Sequence, residues 1–149
     1  MKNKLKINYQ TIESNPLIPN EIKFLDYSKF FKNEKTELIF KKLHSKSWEE
    51  IHSFGKKFYF LKMNKKIQNF NFNSKYDIIY YDAFGSRVQP ELWKENIFRP
   101  IIRSLNNFGV FVTYSSMGNL RRSLIKLGMN VEKIDGPIGK REMIRAIKI

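Results

Sequence analysis

Two carboxylates stand where a ligand-binding site could form. Glu13 ends a strand-like run that begins at Leu5, and Asp82 ends the run that begins at Tyr76. In open α/β sheets ligands bind outside the carboxyl ends of the strands, so an acid at the last position of a strand lies at the ligand edge. There a carboxylate can accept two parallel O–H donors of a ribose. The alternatives are a solvated turn residue for Glu13 and a turn or helix N-cap residue for Asp82, although no helix is predicted to start before Pro90.

Several aromatic side chains near the second acid could stack on a base or contact a sulfonium through a cation–π interaction. They are Tyr80, Tyr81, Phe84 and Tyr114. Aromatic residues in buried strands more often form core, and core is the favoured interpretation for Tyr80. His44 and His52 lie eight residues apart on a predicted helix. This is not the i, i+4 spacing of helix-borne zinc ligands, so no metal site is expected.

The elements that would position these residues alternate between strand-like and helical patterns. This alternation is typical of βαβ units and predicts an α/β open sheet that is mostly parallel. The predicted strands are 5–13, 57–61, 76–82, 108–114, 130–134 and 143–149. Helical patterns begin near Asn20, cover 37–54 with Ile39 inside, follow Pro90 with Trp93 on the apolar face, and follow Met117 with Leu120 and Leu124 inside. The run at 76–82 is nearly all apolar, as expected of a strand buried on both faces. Pro100 is expected to kink or split its helix. The short turn at Gly136 and Pro137 predicts an antiparallel hairpin at the end of the chain.

Composition limits the classes of protein that remain. The chain has 149 residues, 42% of them hydrophobic, which suits a single domain spanning 1–149. The absence of cysteine excludes a disulfide scaffold and a thiolate nucleophile. No run approaches the ~20 apolar residues of a membrane span, so a cytoplasmic protein without membrane contact is expected. Lys and Arg number 28 against 14 acids, a net charge of +14. This charge favours a nucleic-acid partner, with a solvated lysine-rich surface as the alternative.

Five blocks of sequence, which together extend along nearly all of the chain, resemble the MnmC-like tRNA methyltransferases. These enzymes complete 5-methylaminomethyl-2-thiouridine at the wobble position of tRNA. The blocks are residues 11–17 (TIESNPL), 77–84 (DIIYYDAF), 89–93 (QPELW), 109–116 (GVFVTYSS) and 139–143 (GKREM). The resemblance implies a Rossmann-like class I methyltransferase fold and S-adenosylmethionine as cofactor. It also implies that the acceptor is a tRNA with an aminomethyl-uridine, contacted in its anticodon region.

The same resemblance assigns roles to individual residues. Glu13 matches the acid that holds the ribose of S-adenosylmethionine, and Asp82 matches the acid at the methyl-transfer centre. Asp82 and Phe84 are also expected to contact the cofactor. Basic positions suited to the anticodon backbone are matched by Arg121, Arg122, Lys140 and Arg141. In the resembled family a first strand and a glycine-rich turn precede the Glu13 strand, whereas here no glycine precedes Gly55. The first strand is therefore expected to be absent and the domain to be N-terminally truncated.

Three functions agree with these observations. The first is a methyltransferase for the aminomethyl group of wobble uridine. The second is a non-catalytic, basic RNA-binding remnant of such an enzyme, which would bind tRNA but not S-adenosylmethionine. The third is a small-molecule methyltransferase or aminopropyltransferase, which would act without tRNA. Binding of the cofactor separates the first from the second, and dependence on tRNA separates the first from the third.

Overall fold

The chain forms two compact units, residues 1–70 and 71–149, each with one β-sheet. This organisation comes from a computed structural model that describes residues 5–25, 27–30, 33–139 and 141–149. None of the helices within these ranges is long and apolar enough to cross a membrane. The expectation of one domain with a truncated N-terminus stays a prediction.

The first unit is built around three strands. Its elements are β1 (Ile7–Glu13), α1 (Pro19–Ile22), a 3₁₀ helix (Tyr27–Phe30), α2 (Glu34–Ser45), β2 (Ile51–Phe54), β3 (Phe58–Asn64) and a second 3₁₀ helix (Ile67–Asn69). β3 lies in the centre, parallel to β1 and antiparallel to β2. The parallel register pairs Glu13 with Asn64, so the carboxyl ends of β1 and β3 lie side by side.

Aromatic side chains hold the strands of the first unit together. The rings of Tyr9, Phe58 and Phe60 contact one another with centroids 5.9–6.5 Å apart. Helix α2 begins at Asn33, whose side-chain oxygen accepts a hydrogen bond from the backbone N–H of Lys35 at 2.9 Å, an N-cap that stabilises a helix by about 1 kcal/mol. Among the described residues of this unit only Phe60 and Lys62 are buried, so its core is small.

The second unit holds a four-stranded sheet. Its elements are β4 (Tyr76–Tyr81), a 3₁₀ helix (Pro90–Trp93), α3 (Glu95–Arg103), β5 (Leu105–Thr113), α4 (Gly118–Lys126), β6 (Met129–Asp135) and β7 (Glu142–Lys148). The strand order is β4-β5-β7-β6, with β4 parallel to β5 and β7 antiparallel to both of its neighbours. The predicted hairpin at the end of the chain is therefore confirmed.

The core of the second unit lies between the sheet and its two longer helices. Phe98 on α3 and Phe111 on β5 are fully buried, and their rings contact Tyr81 at 5.2 and 5.8 Å. On α4 the predicted inward residues Leu120 and Leu124 are at most 1% exposed. Burial of each such side chain contributes roughly 1.5–3 kcal/mol. This core fixes β4 and β5 relative to each other, and with them the ends of both strands.

The prediction of a helix over 37–54 is wrong in its second half. The helix ends at Ser45, and Ile51–Phe54 is strand β2. Gly55, with a φ of 71°, provides the left-handed residue that the turn into β3 requires. The added antiparallel strand makes the first sheet mixed. With the two antiparallel pairs of β7, the sheets of the described residues are mixed and not mostly parallel as expected. Ile39, predicted to face inward, is 50% exposed because the first unit has so little core for α2 to cover.

Two further expectations in the second unit are corrected. β4 is not buried on both faces, since Ile78 and Tyr80 are 52% and 68% exposed. It is an edge strand, and the contact between Tyr81 and Phe98 shows that α3 covers the opposite face. The helix does not split at Pro100, which lies inside α3. The helical pattern that begins at Pro90 is interrupted instead at Lys94, whose backbone is extended. The side chains buried on either side of Pro100 hold both turns against the sheet.

Candidate active site

The loop after β4 carries the predicted acid and is held at two consecutive carbonyl groups. The hydroxyl of Tyr114 donates a hydrogen bond to the carbonyl oxygen of Ala83 at 2.7 Å. The indole N–H of Trp93 donates to the carbonyl oxygen of Phe84, also at 2.7 Å. Both distances are those of good hydrogen bonds. The loop from Asp82 to Gly85 has no regular secondary structure, but these two hydrogen bonds restrain its backbone.

Asp82 and Phe84 present their side chains to solvent from this loop. Asp82 is exposed, and the ring of Phe84 is 68% exposed. The two residues stand just beyond the carboxyl end of β4, where Tyr81 pairs with Thr113 of β5. The structure therefore brings together the predicted catalytic acid and the predicted cofactor-binding aromatic residue at one strand end.

Two tyrosines support this strand end and remain neutral. Burial raises the pKa of the Tyr114 phenol, and the negative charge of Asp82 raises it further. Burial, followed by the negative charge of Glu91, raises the pKa of Tyr81. The Tyr81 hydroxyl donates to the carbonyl oxygen of Leu92 at 2.6 Å. Both phenols are therefore hydrogen-bond donors at neutral pH and do not act as bases.

Glu13 belongs to the first unit and lies at the end of β1. Its carboxylate accepts a hydrogen bond from the backbone N–H of Asn15 at 2.8 Å, which shapes the turn that precedes Pro16. Glu13 itself is exposed. Its backbone carbonyl accepts from the N–H of Lys65 at 3.1 Å. The acid is thus placed at the carboxyl end of a parallel strand pair, as the sequence predicts.

The predicted RNA-binding residues lie in two places of the second unit. Arg121 and Arg122 are exposed on α4, and Arg122 donates to the side chain of Asn119. Arg141 is exposed just before β7. Lys140 lies outside the described residues. No contact in the structure tests these assignments, so all four stay predictions.

Trp93 is the residue of this site that the sequence does not assign to it. Its position in a helical pattern suggests only a place in the core, and its ring does contact Tyr81 edge-on at 5.4 Å. Its indole N–H donates a hydrogen bond to the loop at the Phe84 carbonyl oxygen. The resemblance of 89–93 to a methyltransferase motif is a signal for Trp93, but it does not indicate which contact the indole makes.

Comparison with known proteins decides the family. A family model described as S-adenosyl-L-methionine-dependent methyltransferase matches residues 28–149. The chain belongs to this family. The predicted methyltransferase class and S-adenosylmethionine as its cofactor are thereby confirmed.

Individual relatives agree with the predicted resemblance. The chain is 38% identical over 68 residues to the tRNA 5-methylaminomethyl-2-thiouridine biosynthesis bifunctional protein MnmC of Paraburkholderia xenovorans, a match that covers 46% of this chain and 10% of that protein. It is 33% identical over 72 residues to the protein of the same name from Hydrogenovibrio crunogenus, covering 48% and 11%. The chain thus spans about a tenth of the curated relatives that it matches. The similarity to MnmC-like methyltransferases is confirmed.

A solved structure shows the fold. The crystal structure of MNMC2 from Aquifex aeolicus matches 97% of this methyltransferase with a TM-score of 0.71 and 24% identity, and the match covers 44% of the crystallised chain. The expected Rossmann-like α/β fold is confirmed by this match together with the family model.

The residues present fit S-adenosylmethionine by their chemistry. The exposed carboxylate of Glu13 can accept the O–H donors of a ribose. The exposed ring of Phe84 offers a face to a sulfonium cation, and the carboxylate of Asp82 lies two residues away. Glu13 in the first unit and Asp82 and Phe84 in the second are each a candidate contact for the cofactor, and these assignments stay predictions.

Proposed function

We propose that this methyltransferase acts on the aminomethyl group of wobble uridine in tRNA, the methyl-transfer step of 5-methylaminomethyl-2-thiouridine biosynthesis, in the cytoplasm. The observation that carries the proposal is the exposed carboxylate of Asp82 in a fixed loop at the carboxyl end of β4. The names of the MnmC relatives supply the substrate class.

The reaction needs an amine whose lone pair is available. S-adenosylmethionine supplies an electrophilic methyl group on a sulfonium. An alkylamine, like lysine with a pKa of ~10.4, is mostly protonated at neutral pH. In our proposal Asp82 orients the amine and accepts its proton, and Phe84 contacts the cofactor. The role of Glu13 at the ribose stays the prediction that the resemblance makes. Holding the reacting groups in line accounts for a large share of the rate.

Binding of tRNA would use the positive charge of the chain. The net charge of +14 attracts a polyanion over several ångströms. Arg121, Arg122 and Arg141 are exposed, and arginine binds phosphate with a planar fork of donors. Together with Lys140 they are the proposed contacts to the anticodon region.

The test pairs two aspartates of one strand segment. Asp82→Asn should lower methyl transfer from labelled S-adenosylmethionine to tRNA bearing 5-aminomethyl-2-thiouridine by roughly 100- to 10,000-fold, the range for a lost acid–base group. Affinity for tRNA should not change. Asp77→Asn is the matched control, because Asp77 lies on β4 and binds the Asn106 amide at 2.8 Å away from the proposed site. Equal rates in Asp82→Asn and Asp77→Asn would refute the role of Asp82.

Calorimetric titration of S-adenosylmethionine into the folded chain separates the other functions. Saturable binding and transfer that requires tRNA support the proposal. A folded chain that binds tRNA with steep salt dependence but ignores the cofactor is the RNA-binding remnant. Transfer to a small amine without tRNA identifies the third function.

A further inference from the structure

Two side chains grip the loop that carries the proposed active-site residues. We infer that Trp93 and Tyr114 form a clamp that positions Asp82 and Phe84 for methyl transfer, an inference that rests on the proposed function. Their donors bind the carbonyl oxygens of Ala83 and Phe84, each at 2.7 Å. In this proposal neither Trp93 nor Tyr114 touches the reacting atoms, so both are positioning residues.

The clamp is anchored in the rigid part of the second unit. Tyr114 directly follows β5, whose last residue Thr113 pairs with Tyr81 of β4. Trp93 ends the 3₁₀ helix, and the hydroxyl of Tyr81 fixes the preceding carbonyl of that helix at 2.6 Å. The indole meets the Tyr114 ring edge-on, with centroids 6.1 Å apart and planes at 83°. Both donors therefore lie on supports that are set by the core.

Fixing the two peptide groups that flank the Phe84 Cα restrains the backbone of Phe84 and of its neighbours. The carbonyls of Ala83 and Phe84 set the direction of the chain on both sides of the Phe84 Cα, and the first of them lies one residue beyond Asp82. A loop with this composition and no regular structure otherwise samples many conformations. The clamp removes that freedom and keeps Phe84 exposed at 68%, where its ring is available to a ligand.

The clamp works over the whole physiological pH range. The raised pKa of Tyr114 keeps its hydroxyl protonated, and the indole N–H does not titrate in this range. Asp82, which contributes to the higher pKa of Tyr114, thereby helps to keep its own support in the donor form.

Hydrogen–deuterium exchange of the free protein tests the clamp without any substrate. Tyr114→Phe and Trp93→Phe each remove one donor. Each should speed exchange of the amides of Val88 and Gln89, which donate to the Gly85 carbonyl at the end of the loop, by about 2- to 10-fold, the equivalent of one hydrogen bond. Ser104→Ala is the matched control, since it deletes a buried hydroxyl that donates to the Ile101 carbonyl at 2.6 Å at the other end of β5. Unchanged exchange in both clamp variants would overturn the inference.

Kinetics then test what the clamp is for. In Tyr114→Phe, kcat should fall and the Kd for S-adenosylmethionine should rise by about 3- to 10-fold, because small displacements of reacting groups are costly, while KM for tRNA stays constant. Rates equal to those of Ser104→Ala, despite faster exchange, would overturn the positioning role. If the wild-type chain binds no cofactor, the proposed function and the positioning role fall together, and the exchange data still decide whether the clamp exists. Should Tyr114→Phe not fold, Trp93→Phe answers the same questions.

Discussion

Gly109 occupies a place in β5 where any side chain would collide with the backbone. A Cβ built on it would lie 2.8 Å from the Asn106 carbonyl oxygen, 3.1 Å from Leu105 Cδ2 and 3.2 Å from the Tyr76 carbonyl oxygen. Two of these three atoms belong to the main chain and cannot rotate away. The strands shift register beside this point, between Tyr76 and Ile78. Gly109→Ala must therefore displace β4, β5 or both.

The expected cost follows from that geometry. Inserting one methyl group into a packed region costs about 1–3 kcal/mol when neighbours must shift, and the clash with two carbonyl oxygens places Gly109→Ala within this range. The free energy of unfolding from urea denaturation should fall by that amount, and Tm should drop by about 2–4 °C for each kcal/mol. Circular dichroism follows both transitions.

Gly118→Ala is the matched substitution. Gly118 is the first residue of α4, and the nearest atom to its Cβ would be Arg122 Nη1 at 3.4 Å, the end of a flexible side chain. Alanine costs less backbone entropy than glycine, so stability should stay constant or rise by up to about 1 kcal/mol. A Gly109→Ala variant as stable as Gly118→Ala would refute the steric argument.

Two further predictions concern charges on the second unit. The hydrogen bond from Lys126 at 3.1 Å lowers the pKa of Glu95 below its usual 4.5, so this stabilisation is present at neutral pH and is lost as pH falls through the folded-state pKa. The difference in unfolding free energy between the wild type and Glu95→Gln, measured in urea, should accordingly shrink as the pH falls below the usual pKa of the carboxyl, and a constant difference would contradict the linkage. Replacing Arg121 and Arg122 together by Ala should reduce the slope of log K for tRNA against log salt by about one for each lost phosphate contact. Arg145→Ala is the control, because the Arg145 guanidinium pairs with a β6 carboxylate at 2.6 Å. An equal change of slope per removed charge in Arg145→Ala would exclude Arg121 and Arg122 from the interface.

The sequence predicts the second unit better than the first, because the spacing of apolar residues indicates which side of an element is buried. In α4 the residues at 120 and 124 alternate with exposed arginines, and they are buried as predicted. In the first unit few side chains are buried at all, so the spacing of apolar residues says little about which side faces inward. Ile39 shows this, and so does the hairpin strand Ile51–Phe54, which continues a helical pattern without a break in composition.

Burial on β4 could not be predicted from its composition. A run such as 76–81 is apolar whether it lies in the middle of a sheet or at its edge. Only the strand order shows that β4 has one strand neighbour in the described sheet. Tyr80 is exposed because it lies on the face opposite to the one that α3 covers, and the expectation of a core position was wrong.

The positions of both acids were predictable because they depend on strand ends alone. A strand ends where its pattern ends, and Glu13 and Asp82 lie at or next to the observed ends of β1 and β4. The clamp depends instead on the conformation of a loop. Residue types and spacing do not determine which carbonyl a tyrosine or tryptophan reaches, so Trp93 could be predicted only as a packed residue.

Two kinds of side chain at the end of β4 have different roles. Tyr81 and Tyr114 stay protonated because burial and a neighbouring negative charge raise the pKa of each. Each hydroxyl donates a hydrogen bond to a backbone carbonyl oxygen. A phenol in that state can orient the loop but cannot take a proton from an amine. Asp82 is exposed beside them, and a carboxylate is an acceptor without a donor of its own. If an amine substrate reaches this strand end, Asp82 is therefore the group that can receive its proton, and in the proposed clamp Trp93 and Tyr114 hold the loop on which it stands.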